Sequence, residues 1–437
     1  MKRLFNRLLS PSPISNFIVA MIYSYVYDFV YTNHIATVWG YSVNRTFHPL
    51  TPDGLISFIL LASVPFLFYK GVKYFASAFS LFVYIFVYIP FTFSLFVYDF
   101  PEQLRFKYQL VFLIIMILYF VTDNYSLFKK SIIHRRRKIP FKVIPVITVL
   151  LFLILIVINR TQLHFVNFFA DSKSLYEFRE LANIRLIYVL CWLRAALLPL
   201  LMLYYLSRND WWRYGFTFVG FVLLFMLDQQ KMTIVFPFAI TAIFFAIKYF
   251  NQKFESRFHI FLILLFILIP LLLIRYDDNS IALVLSLIFI YRIQCIAGMQ
   301  FQRYVDFFEI HDHPFTHYTH IGIINKLTGL YPYDEPIGMA INSDGSNSNA
   351  TFFLMDGVAA DGIIGCIIIG IIFLLMKSVL NSFSYNYKVP ILIALFLFPL
   401  QSLMNVSLFT SLFSHGIIVL FVILLLVDIK EFNRDIQ

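Results

Sequence analysis

Apolar residues in this chain come in long unbroken blocks separated by short charged patches. Residues 143–158, VIPVITVLLFLILIVI, show no alternation of apolar and polar positions, which the strands of an outer-membrane barrel would need. Many of the blocks have the length that an α-helix needs to cross a hydrocarbon core of about 30 Å. The pattern therefore predicts a membrane protein built from helices.

The expected fold is an all-α polytopic membrane protein with about twelve transmembrane helices. A long outer (periplasmic or extracellular) loop, residues 275–351, precedes the last three spans and is expected to carry the active site. We expect residues 1–437 to form a single integral membrane domain. The predicted spans are residues 14–31, 55–69, 74–98, 108–126, 143–158, 186–206, 214–230, 232–249, 258–274, 352–376, 389–404 and 411–428.

The apolar segment 281–298 leaves two topologies open, because it is long enough to be a further crossing. Counting it as a span would move the following loop to the inner side. We expect it instead to be a helix packed into the outer half of the bundle, since the Lys and Arg residues downstream then lie inside. The same count of basic residues places both termini in the cytoplasm, with KKSIIHRRRK at 129–138 as the strongest inner anchor.

Composition excludes several classes of protein. Hydrophobic residues make up 60% of the chain and charged residues 13%, whereas globular domains have about 45–50% and about 25%. A soluble enzyme, a secreted disulfide scaffold and a disordered chain do not fit. The net charge of +10 is expected to face anionic lipid headgroups, so no nucleic-acid partner is predicted. Cys191, Cys295 and Cys366 lie in or beside apolar segments without a CxxC pair, as expected of packing residues.

The predicted outer loop contains a histidine-rich segment, HDHPFTHYTH, with histidines at 311, 313, 317 and 320. The alternatives for these histidines are a metal site, plain loop surface, and a general-base or substrate-contact role. Pro314 interrupts any helix that would align the rings, and no HExxH or CxxC spacing is present. We therefore predict no metal site and no cofactor.

Three basic residues lie within apolar surroundings: Arg292, Lys231 and Arg194. A charge there is costly unless it reaches water, a partner or an anionic ligand. For Arg292 the alternatives are a structural ion pair and an anion contact, and for Lys231 they are a local pair with Asp228 and an anion contact. Few intramembrane acids are available to neutralise Arg194. Because the guanidinium fork matches phosphate, a lipid-linked diphosphate is the favoured ligand.

Two stretches, YRIQCIAGMQFQRYVDFFEIHDHPFTHYTH and SDGSNSNATFFLMDGVAADGIIGCIIIG, carry a resemblance to a known family. Together they resemble the late outer loop and following span of the Wzy-type repeat-unit polymerases of bacterial O-antigens and capsules. The matching residues are Arg292, Tyr304, Phe307, Phe308, His313, Pro314, Asn349, Ala350, Phe352, Gly362 and Gly365.

This resemblance implies a metal-independent glycosyltransferase of the bacterial cytoplasmic membrane. It would transfer a growing glycan from its undecaprenyl-diphosphate carrier to an incoming lipid-linked repeat, with membrane lipid, a chain-length regulator and a flippase as partners. The expected catalytic residues are His313 or His320 as general base, with Asp344 or Asp312 as carboxylate alternatives. The expected substrate-binding residues are Lys231, Arg275, Arg292, Arg303 and His317.

Two other functions remain open at this point. A flippase for the same lipid-linked sugars would also have about twelve spans, although two similar halves and short loops are typical of such transporters. A membrane O-acyltransferase would need an embedded histidine as base. His34, His164, His259 and His415 are candidates for that role, but none has a recognisable catalytic neighbourhood.

Overall fold

The structure is a computed structural model, and it describes residues 11–39, 45–128, 139–164, 184–250, 253–275, 280–311, 318, 322–342, 348 and 351–428. Within these ranges most of the chain is helical. Two short strands, β1 (Ile139–Pro140) and β2 (Val427–Asp428), pair in parallel over two residues each.

The helices in chain order are α1 (Pro13–Val38), α2 (Pro52–Ser63), α3 (Phe75–Val97), α4 (Glu102–Val121), α5 (Val143–Ile158), α6 (Ile187–Ser207), α7 (Trp211–Asp228), α8 (Lys231–Phe250), α9 (Phe254–Ile274), α10 (Ala282–Ile310), α11 (Gly322–Thr328), α12 (Ile337–Ala340), α13 (Phe353–Tyr385), α14 (Val389–Leu395), α15 (Leu397–Ser402), α16 (Leu408–Phe413) and α17 (Ile417–Leu426).

Among the described residues, nine helical segments are long and apolar enough to cross a membrane. They are α1, α3, α4, α6, α8, α9, α10, α13 and the segment Leu408–Leu426, which contains α16 and α17. The prediction of an all-α, multi-pass membrane protein is confirmed. The exact number of spans, the outer loop and the single membrane domain stay predictions.

The last two predicted spans are interrupted, each for a local reason. Residues 389–404 form the short helices α14 and α15, because Pro399 has no N–H to bond to the carbonyl of Leu395. Residues 411–428 are divided between α16 and α17 by Gly416, whose φ of 86° ends a right-handed helix. The segment 281–298 is helical as expected, but its helix continues to Ile310 and occupies a large part of the predicted outer loop.

The described chain forms two compact units. The first contains Met1–Leu127, Glu255–Asn381 and Leu403–Leu408, and the second contains Phe128–Phe254, Ser382–Ser402 and Phe409–Gln437. In the first unit α3 is the central helix, with 94% of its most apolar window buried. Helix α10 packs directly against it at Gly298, where an added Cβ would lie 2.3 Å from the Pro90 carbonyl oxygen. Only glycine permits this approach of two backbones.

Helix α13, also in the first unit, is broken near its start. Asp361 and Gly362 have non-helical backbone angles, and Gly362 has a φ of 53°. The two parts of α13 then pack against each other, because a Cβ on Gly365 would lie 2.1 Å from the Gly357 carbonyl oxygen. Non-helical backbone at membrane depth is tolerated where it is buried in protein or lines a cavity. The break is therefore a candidate part of a functional site.

The second unit holds α5 to α8 together with the C-terminal helices. Its best-defined polar contact joins α6 to the end of α7, where Arg194 Nη1 lies 2.5 Å from Asp228 Oδ2. Both side chains are buried. Gln230 and Thr233 add hydrogen bonds to the pair, so the two charges are held in a satisfied network.

Candidate functional site

Helix α10 buries an unusual number of polar side chains for an apolar helix. The amide oxygen of Gln294 accepts a hydrogen bond from the Tyr23 hydroxyl at 3.3 Å. Gln302 is fully buried, and in the described part of the chain neither atom of its amide has a hydrogen-bond partner. Burying an amide without a partner costs free energy, so such groups in a membrane helix indicate a functional surface.

Arg303 lies one residue further along α10 and is only 9% exposed. Its Nη1 donates to Asn342 Oδ1 at 2.5 Å, and Asn342 in turn donates from Nδ2 to the Gly338 carbonyl at 2.8 Å. The hydroxyl of Tyr304 donates to the Ser348 carbonyl at 3.1 Å. These contacts bind the segment that follows α12 to α10, so Arg303 is a buried cation at the junction of the two.

A cavity of about 290 Å³ lies beside the end of α10 and the break in α13. Its lining includes Tyr108 of α4, Phe308 and Glu309 of α10, and Asp361 and Gly362 at the break. Two carboxylate side chains and two aromatic rings therefore face one cavity. A concave site with apolar walls and a few polar groups is the usual form of a small-ligand site.

Aromatic rings cluster where α10 ends. The ring of His311 stacks on Phe307 with centroids 4.1 Å apart, and its Nδ1 lies 2.9 Å from the Phe307 carbonyl oxygen. Tyr333 packs against Phe307 and also against Tyr331. Burial, together with Tyr333 and Glu335 nearby, raises the pKa of Tyr331 to about 12, and its hydroxyl donates to the Glu335 carbonyl at 2.7 Å. Planar rings of this kind can stack on sugars.

The predicted site residues have different outcomes. Arg303 is part of the buried junction, whereas Arg292 is exposed on the π-helical part of α10, with its guanidinium 5.9 Å from the Tyr291 ring centroid. Arg275 is exposed at the end of α9. Their roles stay predictions. The remaining loop residues, His313, His317, His320, Asp344 and Asp312, lie outside the described residues.

Lys231 belongs to the second unit, where it begins α8 and is half-buried. The carboxylate of Asp228 bonds to Arg194, to the Gln230 backbone N–H and to Thr233. Arg194 therefore has the acidic partner that the sequence did not show. That partner lies 34 residues away in sequence, on another helix, so no local pattern reveals it.

Sequence reasoning missed the break in α13 and the role of Asn342 as partner of Arg303. The dipeptide at Asp361 and Gly362 carried a signal, because Gly following a short polar residue is a common way to end a helix. The contact of Asn342 with Arg303 has no such signal in the sequence. It joins positions 39 residues apart, and only the folded chain brings them together.

In the described part of the chain, no group of three His, Cys, Asp or Glu side chains is placed to hold a metal ion. The described groups at this site include a buried guanidinium, two carboxylates and a cluster of aromatic rings. Compared with known proteins, the chain matches no family model, no curated protein and no solved structure.

Proposed function

We propose that this protein is a glycosyltransferase that polymerises oligosaccharide repeats carried on undecaprenyl diphosphate, for O-antigen or capsule. One observation carries the proposal. In a multi-pass membrane chain, buried Arg303 lies on the same helix as the acidic and aromatic cavity at Glu309 and Phe308, and the histidine-rich segment follows directly. One short stretch of the chain therefore contains a cation that can bind a diphosphate, a carboxylate, and aromatic rings that can stack on sugars.

The proposed reaction needs little from the protein beyond positioning and charge. A hydroxyl oxygen of the incoming lipid-linked repeat attacks the anomeric carbon of the growing glycan and forms the new glycosidic bond. The bond between that carbon and the diphosphate oxygen breaks, and the leaving diphosphate keeps the electron pair. A cation such as Arg303 would stabilise the developing negative charge, and His313, His320, Asp344 or Glu309 would take the hydroxyl proton.

Contacts within the first unit support placing this site on the outer face. Arg45 follows α1 and pairs with Asp306 near the end of α10. The end of α10 is therefore on the side of the first unit where α1 ends, opposite Pro13. Basic residues at the start of the chain favour a cytoplasmic N-terminus. With that orientation, a span of 26 residues would leave Asp306 on the outer side of the cytoplasmic membrane.

The surface glycan of a strain that lacks this gene tests the proposal. Loss of a polymerase should leave single repeats on the lipid core, because assembly and export of each repeat are intact. Plasmid-borne wild-type protein should restore long chains. A variant that still inserts but fails to restore them would confirm that the protein itself, and not a neighbouring gene, is responsible.

The same experiment separates the alternatives. No surface glycan at all would indicate a lost flippase, and full-length chains lacking ester groups would indicate a lost acyltransferase. Full-length, unmodified chains in the deletion strain would contradict all three functions. Gel electrophoresis of the extracted glycan reports chain length, and mass spectrometry reports ester groups.

A further inference from the structure

A second cavity in the first unit lies away from the acidic cavity beside α10. It measures about 580 Å³, and its lining comes from the segment before α2, from α2 itself, from the end of α3 and from the first turns of α4. Its volume is within the range of about 300–1,000 Å³ that small-molecule sites occupy. Neither the proposed reaction nor its predicted residues use it.

Residues 48–51 form one wall of the cavity, and this wall and the residues just before it are held in place by several contacts. Phe47 pairs with Tyr98 as an antiparallel bridge, and the His48 N–H donates to the Val97 carbonyl at 2.8 Å. The pair between Arg45 and Asp306 anchors the start of the same segment. The cavity is therefore built by tertiary contacts and is not a gap beside a free loop.

The cavity has a polar end and an apolar end. His48, Thr51 and Arg105 line it where α2 and α4 begin, and Leu61 and Phe96 line it further along. Arg105 is half-buried, and its side chain makes no hydrogen bond or ion pair with any residue the structure describes. A guanidinium without a partner, beside apolar walls at the ends of apolar helices, suits a ligand that brings its own negative charge.

The charged groups around Arg105 indicate which kind of ligand this cavity binds. Asp99 Oδ2 lies 3.2 Å from Nε2 of His48, so this acidic side chain already has a contact at the polar end. A planar guanidinium binds phosphate oxygens in pairs, and a phosphate on an apolar chain would occupy both ends of the cavity. We propose that this cavity binds one amphiphile with a phosphate head group, whose head contacts Arg105 and whose chain lies against Leu61 and Phe96.

This site is distinct from the one proposed for glycan transfer and does not depend on it. The test uses the full chain in phosphatidylcholine nanodiscs with a dodecyl phosphate that carries a photoactivatable diazirine. Cross-linked peptides are mapped by mass spectrometry. Labelling should concentrate on peptides that contain residues 48–61 and 102–109.

The variants separate a ligand contact from general attraction to a basic surface. Arg105→Gln removes the proposed phosphate contact, and Ser57→Trp fills the cavity from an exposed position on its lining. Lys107→Gln is the matched control, because Lys107 is exposed on the same helix and does not line the cavity. We expect labelling to fall at least tenfold in the first two variants and to stay within twofold of wild type in the control. Each variant is first checked for unchanged thermal unfolding.

Competition distinguishes the amphiphile from a free anion. Unlabelled dodecyl phosphate should abolish labelling, whereas dodecanol and inorganic phosphate at the same concentration should not. Equal labelling of Arg105→Gln and Lys107→Gln would overturn the proposal. Competition by inorganic phosphate alone would overturn the role of the chain, and competition by dodecanol would overturn the role of the phosphate.

Discussion

The guanidinium of Arg45 pairs with the carboxylate of Asp306, and the two residues are 261 positions apart in the chain. Arg45 also donates to the Asp99 carbonyl and lies 4.3 Å from the Phe100 ring centroid. One side chain thus joins the segment after α1, the turn between α3 and α4, and the end of α10. It links the cavity lined by His48 and Arg105 to the helix that carries Arg303.

Reversing the charges of this pair should show their coupling. Arg45→Asp and Asp306→Arg should each destabilise the protein, and the double variant should recover part of the loss. The side chains are 16% and 31% exposed, so the coupling is expected to be roughly 1 kcal/mol. Thermal unfolding in detergent measures all four proteins. Strictly additive losses would mean that the two charges do not interact.

Cysteine labelling should find Thr46 and Ile310 on the same side of the membrane. Both positions are exposed, and the native cysteines Cys191, Cys295 and Cys366 are buried, which keeps the background low. In intact spheroplasts a membrane-impermeant maleimide should react with Thr46→Cys and Ile310→Cys. Lys73→Cys, placed just before α3, should react only after permeabilisation.

Protection of Ile310→Cys from the outer reagent, with Thr46→Cys labelled, would contradict this topology. It would place the end of α10 on the inner side and remove the support for an outward-facing site. Equal labelling of all three variants would indicate leaky membranes, so a cytoplasmic marker protein is included in each sample.

Gly298 should not tolerate even one methyl group. A Cβ there would lie 2.3 Å from the Pro90 carbonyl oxygen, and a backbone atom cannot move aside as a flexible side chain would. Gly298→Ala is expected to destabilise the protein by roughly 1–3 kcal/mol. Gly215→Ala is the control, because no atom lies within 4 Å of a Cβ at this helical position, and it should stabilise by about 0.5–1 kcal/mol. Thermal unfolding of the two variants, with opposite shifts expected, checks this contact.

Replacing either Lys377 or Asp123 alone should lower the free energy of unfolding, because the two side chains form a buried ion pair. Lys377 Nζ lies 2.8 Å from Asp123 Oδ1, both side chains are buried, and the Ser80 hydroxyl donates to the same carboxylate at 2.6 Å. Lys377→Met or Asp123→Leu alone would leave one buried charge without its partner, at a cost of about 3–5 kcal/mol.

The double variant Lys377→Met with Asp123→Leu should be more stable than either single variant, because no buried charge remains. Denaturant titration in detergent gives the comparison. A double variant less stable than both single variants would show that Lys377 and Asp123 act independently, through separate contacts.

The sequence predicted the helices better than the contacts between them. The unbroken apolar block at residues 143–158 predicts a helix, and α5 has these bounds, because such a block favours a helix by hydrophobicity alone. The breaks at Gly362 and Gly416 depend on single backbone angles, which apolar content does not report. The partners of Arg194 and Arg303 lie 34 and 39 residues away in the sequence, and only the folded chain brings them into contact. For this reason the sequence shows few acids that could neutralise Arg194, although Asp228 is 2.5 Å away.

The most direct test of the proposed function is polymerisation by the purified protein. Synthetic isoprenoid-diphosphate-linked repeats are incubated with protein in nanodiscs, and products are resolved by gel electrophoresis. Wild-type protein should produce a ladder of chain lengths, also in the presence of EDTA. Arg303→Gln should lower the initial rate by about 10²–10³, as loss of a group that stabilises transition-state charge does. Arg213→Gln, a change at an exposed cation in the second unit, should leave the rate unchanged. Absence of any ladder from folded wild-type protein, or equal rates for the two variants, would contradict the account.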